Sequence, residues 1–423
     1  MIARGAAALV ALSWGIAAQA ADWDPYARPT GEFETRLQAA AFGEPGADRA
    51  LQDWLAAHPD LPADRRLQAS EQLCGDYGVL TWHRLRAAVC AEAARLEKAA
   101  GKGEKGDDDA AMAAAFADQP PLRAIGSAKV PLTWNSFGSQ SADVTVGGVT
   151  ASWFMDTGAE ISVVREGLAK QMHVRPVGQS IRVGTTTADV FGHVGLIDRL
   201  RIGSATVENV PVLVLPDAQL KIGNVHQIDG ILGLQVFAAF GRIAWIDGGS
   251  ALALGEAAPK ARPTAPRIYW HEEGLGVPVR TPRGLLGAFL DTGANATDWR
   301  EPGLALLDPR RVASAKEVVM HVGGAGGVVE VKQRELNSVG LEFGPVPIRL
   351  NEVAIAATDK PGAAKVGMDA VSQLGVLILD FEQMRIDGRL KTEAERKATR
   401  KTVLTNDDVE LDPANGKDPA QGK

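Results

Sequence analysis

Two short stretches of the sequence are nearly the same: FMDTGAEISVV at residues 154–164 and FLDTGANATDW at residues 289–299. Each places Asp-Thr-Gly directly after an apolar run, and the two aspartates lie 135 positions apart. A carboxylate at the end of a buried strand is costly unless it is paired or used. The repetition therefore marks Asp156 and Asp291 as candidate functional residues.

The sequence around the two triplets is also repeated. The segments ADVTVGGVTASWFMD and GVPVRTPRGLLGAFLD, which end at Asp156 and Asp291, are each typical of a strand, a tight turn and a second strand. Gly233 and Gly367 follow these aspartates by 77 and 76 residues, each after an apolar residue. The duplication predicts two similar β units whose aspartates face each other across an approximate twofold axis.

From about Leu132 to Arg389 the chain resembles the pepsin-like and retropepsin-like aspartic proteases, through the two triplets and through Ile231-Leu232-Gly233. This resemblance implies a mainly β, bilobal aspartic-protease fold of the double-psi barrel type. It also implies that Asp156 and Asp291 are the catalytic residues and that neither a metal nor a cofactor is needed.

The resemblance implies supporting roles for the other residues of each triplet. The hydroxyls of Thr157 and Thr292 are expected to hold the two loops together across the interface between the units. Gly158 and Gly293 are expected to let backbone amides approach the carboxylates and donate hydrogen bonds to them.

The sequence departs from the pepsin pattern in two places. Ala159 and Ala294 follow the triplets, where pepsins more often carry a hydroxyl that bonds the ionised carboxylate. Without that bond the lower apparent pKa of the pair is expected to rise, which predicts a mildly acidic working range. Lys365 precedes Val366 and Gly367 where an apolar residue is expected, so this part of the second unit matches less closely.

Two segments are candidates for the flaps that cover a substrate in this family. IRVGTTTADVFGHVG (181–195) and VVMHVGGAGGVVEV (318–331) each alternate apolar residues around a Gly- or Thr-rich tip. Two flaps are typical of retropepsins, and ordinary hairpins are the alternative. The candidate tip residues are Gly184, Thr185, Gly323 and Gly324.

Composition limits the class of partner. The 423 residues carry a net charge of −7 and are 45% hydrophobic, which is ample for a large core. Nucleic-acid binding needs a basic face, so no nucleic-acid partner is expected. The seven histidines show no spacing typical of metal ligands. The expected partner is a protein or peptide substrate.

The first twenty residues, MIARGAAALVALSWGIAAQA, are typical of a signal peptide, because Arg4 precedes an apolar run that ends in Ala18-Gln19-Ala20. Cleavage near Ala20 predicts a periplasmic or secreted protein without stable membrane insertion, and an uncleaved anchor helix is the alternative. In an oxidising compartment Cys74 and Cys90 are expected to form a disulfide, two buried thiols being the alternative.

Residues 21–100 space Leu and Ala at helical intervals and predict a small α-helical domain before the β units. Asp76-Tyr77-Gly78 is typical of a turn between its last two helices. This helical module is a candidate docking site for a protein partner, and the rest of the chain is expected to cleave without it. The predicted boundaries are 1–20 for the signal peptide, 21–100 for the module, 101–127 for a linker, 128–256 for lobe 1, 257–266 for an inter-lobe linker, 267–389 for lobe 2 and 390–423 for a charged, disordered tail.

These patterns together predict an exported aspartic endopeptidase that hydrolyses peptide bonds with a water activated between two aspartates. The alternative is a catalytically inactive protease fold that binds peptides or serves as an adaptor. The separation of the two carboxyl groups and the openness of the cleft between the units discriminate between these hypotheses.

Overall fold

The computed structural model describes residues 24–101, 105–135, 138–184, 189–222, 226–271, 274–324, 327–356 and 362–404. The predicted signal peptide lies outside these ranges. The fold is mainly β, with 41% strand and 31% helix, and an N-terminal helical domain is present. The helices of that domain are α1 (Glu32–Ala41), α2 (Ala47–Ala57), α3 (Ala63–Val79), α4 (His83–Ala99) and α5 (Lys105–Phe116).

The helical module has its own apolar core and one disulfide. Cys74 in α3 and Cys90 in α4 are bonded, with their Cα atoms 5.1 Å apart, and both lie in this core. The turn predicted at Asp76-Tyr77-Gly78 is wrong, because α3 continues through these residues. The chain reverses at Thr81, whose φ is 53°.

Removal of the disulfide is expected to destabilise the module. The bond closes a loop with a sequence separation of 16 residues. Losing that constraint on the unfolded chain, in a Cys74→Ser/Cys90→Ser variant, should lower the free energy of unfolding by about 3 kcal/mol. Urea unfolding measures this change. Two titratable thiols in the unreduced, denatured native protein would contradict the assignment.

The chain from 123 to 254 builds a closed ring of six strands. Strands β4, β5, β12, β6, β9 and β8 pair in that order, and β8 pairs again with β4. We call these six strands the first ring. The elements of this region are β1 (Arg123–Ile125), β2 (Ala128–Pro131), β3 (Thr133–Trp134), β4 (Gln140–Val146), β5 (Val149–Met155), β6 (Ser162–Arg165), α6 (Glu166–Gln171), β7 (Arg175–Gly184), β8 (Asp189–Ile202), β9 (Ala205–Leu215), β10 (Lys221–Ile222), β11 (His226–Gln227), β12 (Gly230–Leu232), α7 (Leu234–Ala239), β13 (Arg242–Ile246) and β14 (Ala251–Leu254).

The chain from 269 onward builds a second ring with the same strand order. Strands β16, β17, β22, β18, β21 and β20 pair in sequence, and β20 pairs again with β16. Each strand of this second ring has a counterpart in the first, with the same parallel or antiparallel neighbours. Its region contains β15 (Tyr269–His271), β16 (Gly274–Thr281), β17 (Gly284–Leu290), β18 (Asp298–Trp299), α8 (Pro309–Ala313), β19 (Lys316–Gly324), β20 (Gly327–Phe343), β21 (Val346–Ile355), β22 (Ala364–Val366), α9 (Met368–Val371), β23 (Leu374–Asp380), β24 (Arg385–Leu390) and α10 (Glu393–Leu404).

A third sheet joins the two rings. Its strand order is β2-β14-β13-β23-β24, and its central pair is antiparallel β13 and β23, one strand from each half of the chain. The pairing places Ile243 opposite Leu379, and both side chains are fully buried. The rings are therefore joined by backbone hydrogen bonds and a continuous apolar core.

The helical module packs against both halves of the β structure. Helix α5 lies in the segment predicted to be a linker, and its Met112 and Phe116 are buried in an apolar cluster with residues of the first ring. The side-chain amide of Gln235 donates to the Gly78 carbonyl at 2.9 Å. The amide of Gln72 donates to the carbonyl of Trp270, ahead of the second ring, at 3.0 Å.

Candidate active site

The two Asp-Thr-Gly loops occupy equivalent places in the two rings. Asp156 follows β5, and its amide donates to the Leu232 carbonyl at 3.1 Å. Asp291 follows β17, and its amide donates to the Val366 carbonyl at 3.0 Å. Each aspartate is thus fixed where two parallel strands end side by side.

Four hydrogen bonds made by the two threonines lock the two loops together. The Thr157 hydroxyl donates to the Leu290 carbonyl at 2.8 Å, and the Thr292 hydroxyl donates to the Met155 carbonyl at 2.8 Å. Each hydroxyl also accepts the backbone N–H of the other threonine, at 3.0 and 3.1 Å. Because all four bonds are buried and cross between the rings, the relative position of the two aspartates is tightly fixed.

The two carboxylates meet at the glycine of the first triplet. Asp156 Oδ1 accepts the N–H of Gly158 at 2.8 Å and that of Gly293 at 3.2 Å, while Asp291 Oδ1 accepts the Ala294 N–H at 2.9 Å. A Cβ on Gly158 would lie 2.6 Å from Asp291 Oδ1 and 3.2 Å from Asp156 Oδ1. Only glycine leaves room for both groups at this point.

Burial dominates the electrostatics of the pair. The side chains of Asp156 and Asp291 are 1% and 0% exposed. Burial raises the pKa of Asp156 well above its usual range, and the charge of Asp291 raises it further. Burial also raises the pKa of Asp291, although the nearby Lys365 opposes that rise. Two such carboxyl groups do not both ionise readily, so they titrate as a pair.

A glycine turn supports each loop from behind. Gly233 donates to the Ser162 hydroxyl at 3.0 Å, and its counterpart Gly367 donates to the Thr297 hydroxyl at 3.1 Å. The residue after each glycine donates its N–H to the alanine that follows the triplet: Leu234 to Ala159 at 2.7 Å and Met368 to Ala294 at 2.8 Å. The two supports are equivalent, as the sequence spacing predicts.

The flap candidates lie at the ends of two hairpins. Gly184 is the last residue of β7, which pairs with β8, and Thr185 lies outside the described residues. Gly323 and Gly324 end β19, which pairs with β20. The hairpins occupy corresponding positions in the strand order of the two halves. A role in covering a substrate stays a prediction.

The sequence patterns did not indicate two charged pairs near the loops. Arg86 of α4 forms an ion pair with Glu160 at 2.6 Å, with side chains only 4% and 10% exposed. Lys365 of β22 forms an ion pair with Asp298 of β18 at 3.2 Å. Lys365 differs from the apolar residue expected at its position. Its partner Asp298 comes close only because β22 pairs with β18.

The described part of the chain contains neither a metal-binding cluster nor a membrane-spanning helix. Within it, no group of three or more His, Cys, Asp or Glu side chains is placed to hold a metal ion. No helix within the described ranges is long and apolar enough to span a membrane.

Part of the chain is similar to a known family. Residues 142–236 match the sequence model of a family described as aspartyl protease. The matched segment contains most of the first ring, the Asp156 triplet and the Gly233 turn, and it ends before the Asp291 triplet. No curated protein matches the chain. The aspartyl protease match thus supports peptidase chemistry, and it covers only the half of the site that contains Asp156.

Proposed function

We propose that the protein is an aspartic endopeptidase whose two rings are the lobes of a bilobal aspartic-protease fold. The observation that carries this proposal is that hydrogen bonds hold the two triplets against each other. Each comes from an equivalent place in its ring, and four buried hydrogen bonds hold the carboxylates together at Gly158. The aspartyl protease match over residues 142–236 supports it independently.

The chemistry follows from a pair of carboxyl groups that hold one proton between them, for which aspartic proteases are the standard case. The ionised aspartate accepts a proton from water while the water oxygen attacks the carbonyl carbon of a peptide bond. The protonated aspartate donates to the carbonyl oxygen. Collapse of the resulting diol transfers a proton to the leaving nitrogen and restores the pair. Neither step requires a metal or a covalent intermediate.

A peptide-binding protein without catalytic activity is the second candidate function. Two observations favour it: both carboxylates are fully buried, and a lysine lies beside Asp291. A cation that neutralised Asp291 without leaving a shared proton would remove the chemistry without preventing the fold from binding a peptide. The same assay distinguishes the two candidates.

Export from the cytoplasm is part of the proposal. The signal-like residues 1–20 support it, and so does the buried Cys74–Cys90 disulfide, since disulfides are rare in reducing compartments. Mass spectrometry of the protein isolated from cells should give an N-terminus at Ala21.

A peptide library tests the proposed activity. The purified protein is incubated with a mixed library across a range of pH, and the fragments are identified by mass spectrometry. We expect internal cleavage that the transition-state mimic pepstatin inhibits. Peptides that bind without being cut would favour the inactive candidate.

A further inference from the structure

One pair of equivalent positions, in the strands next to the aspartate loops, carries different kinds of residue in the two rings. In the first ring, β12 places Ile231 opposite Phe154 on one side and Val163 on the other. In the second ring, the equivalent strand β22 places Lys365 opposite Phe289 and Asp298. A buried apolar pair in one ring is thus replaced by a lysine and an aspartate in the other.

We propose that Lys365 determines which aspartate is ionised: Asp291 keeps the negative charge and accepts the proton of water, whereas Asp156 carries the shared proton. Lys365 is a positioning residue in this proposal, because it acts through Asp291. The assignment of the two chemical roles rests on the proposed function, whereas the assignment of charge does not.

The distances place the lysine on one side of the pair only. Lys365 Nζ lies 3.8 Å from Asp291 Oδ2 and 3.2 Å from Asp298 Oδ2, and its side chain is 14% exposed. Among the described residues, Asp156 takes part in no ion pair, whereas Oδ2 of each of the two aspartates lacks a hydrogen-bond partner. A buried charge interacts strongly with a neighbour at this distance, so the lysine favours the ionised form of Asp291 over that of Asp156.

The other charged groups around the lysine limit the aspartate pair to one negative charge. They do not decide which aspartate carries it, because the charge of Asp298 raises the pKa of Asp291 while Lys365 lowers it. Arg300 Nε lies 3.6 Å from Asp298 Oδ1, so two cations face Asp291 and Asp298. With only one aspartate of the pair ionised, two negative charges balance the two cations. Asp369, whose Oδ1 accepts the Thr297 hydroxyl at 2.6 Å, can only add negative charge. A second ionised aspartate in the pair would leave the buried cluster with an excess of negative charge.

The lysine itself remains charged in this setting. Burial lowers the pKa of Lys365, but Asp298 and Asp291 together raise it above its usual value. The rise expected from the missing hydroxyls at Ala159 and Ala294 is therefore opposed at Asp291 by a cation 3.8 Å from its Oδ2. At Asp156 it is opposed only by backbone hydrogen bonds.

The proton inventory of the reaction follows from this assignment. Water transfers a proton to Asp291 as its oxygen bonds to the carbonyl carbon, and Asp156 transfers its proton to the carbonyl oxygen. In the second step Asp291 transfers its proton to the leaving nitrogen as the C–N bond breaks. Asp156 then recovers a proton from one hydroxyl of the diol, and the starting charges return.

Four variants test the role of Lys365 through the pH profile of kcat/KM. Lys365→Met removes the charge, and Lys365→Arg retains it. Lys365→Ile/Asp298→Val gives the second ring the residue pair of the first and avoids leaving Asp298 without its lysine. Ile231→Val is the matched control in the first ring, because it changes packing at the equivalent position without changing charge.

We expect the acid limb of the profile to move to higher pH by about 1 to 3 units in Lys365→Met. The double variant should move it in the same direction by less, because it also removes Asp298, whose charge raises the pKa of Asp291. Lys365→Arg and Ile231→Val should keep the acid limb of the native protein. An acid limb that stays in place in the double variant, or that moves equally in Ile231→Val, would overturn the proposal.

A second measurement separates this proposal from the proposed function. The native protein is labelled with ¹³C at the aspartate carboxyl carbons, and the signals of the pair are assigned by their loss in Asp156→Asn and Asp291→Asn. We expect the Asp291 signal to titrate at lower pH than that of Asp156. The reverse order would refute the charge assignment whether or not the protein cleaves peptides, and absence of cleavage with the expected order would refute only the proposed function.

Discussion

Replacement of either Asp156 or Asp291 by asparagine should lower kcat/KM for peptide cleavage by about 10²- to 10⁴-fold, the usual range for a lost acid or base. Asparagine keeps the shape of the side chain but can neither accept the proton of water nor supply one to the carbonyl oxygen. Each carboxylate is required, so the double variant should be little worse than either single variant. Cleavage of one peptide identified from the library measures the loss.

A matched substitution separates chemistry from folding in this experiment. Asp143→Asn makes the same change at an exposed position of β4, in the same ring as Asp156, and should leave cleavage unchanged. Asp156→Asn and Asp291→Asn should unfold in urea at concentrations no lower than the native protein, because burial raises the pKa of both groups and disfavours their charged forms. Undiminished turnover by either variant would refute the assignment of the catalytic pair.

Replacement of Arg86 by methionine should lower the free energy of unfolding by about 3 to 5 kcal/mol. Arg86 and Glu160 form an ion pair in which both side chains are almost fully buried. Methionine fills much of the space of the arginine stem but leaves Glu160 buried without its cation, and that uncompensated charge is the main cost. Urea unfolding followed by tryptophan fluorescence measures the change.

Two further variants make this prediction specific. Arg86→Met/Glu160→Gln removes both charges and should recover most of the stability. Arg95→Met breaks an ion pair with Glu92 on the same helix, but those side chains are 63% and 35% exposed, so it should cost at most about 1 kcal/mol. The assigned role of the buried pair is wrong if Arg86→Met is no more harmful than Arg95→Met.

The Arg86–Glu160 contact also bears on whether the helical module is dispensable. Glu160 directly follows Ala159 in the Asp156 loop, and Gly78 has no room for a Cβ because Glu160 Oε1 and Arg86 press against it. Removing the module would expose Glu160, Gln235 and the apolar contacts of α5. A chain that begins near Gln119 is thus expected to be less stable and less active, contrary to the expectation from sequence alone.

The internal repeat was sufficient to predict the duplicated β structure and the facing position of the two triplets. The Asp-Thr-Gly loops and the glycines that follow them recur at nearly equal spacing, and a repeated pattern constrains the fold more than any single motif. The helices before residue 100 were predicted from the helical spacing of their Leu and Ala residues. These features follow from spacings that can be read directly from the sequence.

Features that depend on tertiary contacts could not be predicted in this way. Asp76-Tyr77-Gly78 has the composition of a turn but continues α3, because Asp76 and Tyr77 are fully buried and the Gly78 carbonyl accepts Gln235. Arg86 lies 74 positions from Glu160, and Lys365 lies 67 positions from Asp298. Nothing local in the sequence pairs these charges until the strands and helices are assembled.

The antiparallel pairing of β13 with β23 joins the two halves as a dimer interface would, but within one chain. In a homodimer with twofold symmetry, any residue change appears at both equivalent positions. A lysine beside one aspartate would then be a lysine beside both, and neither carboxylate would be preferred as the base. Covalent fusion of the halves allows the first to keep Ile231 while the second carries Lys365, so the two copies are free to specialise as donor and acceptor of one proton.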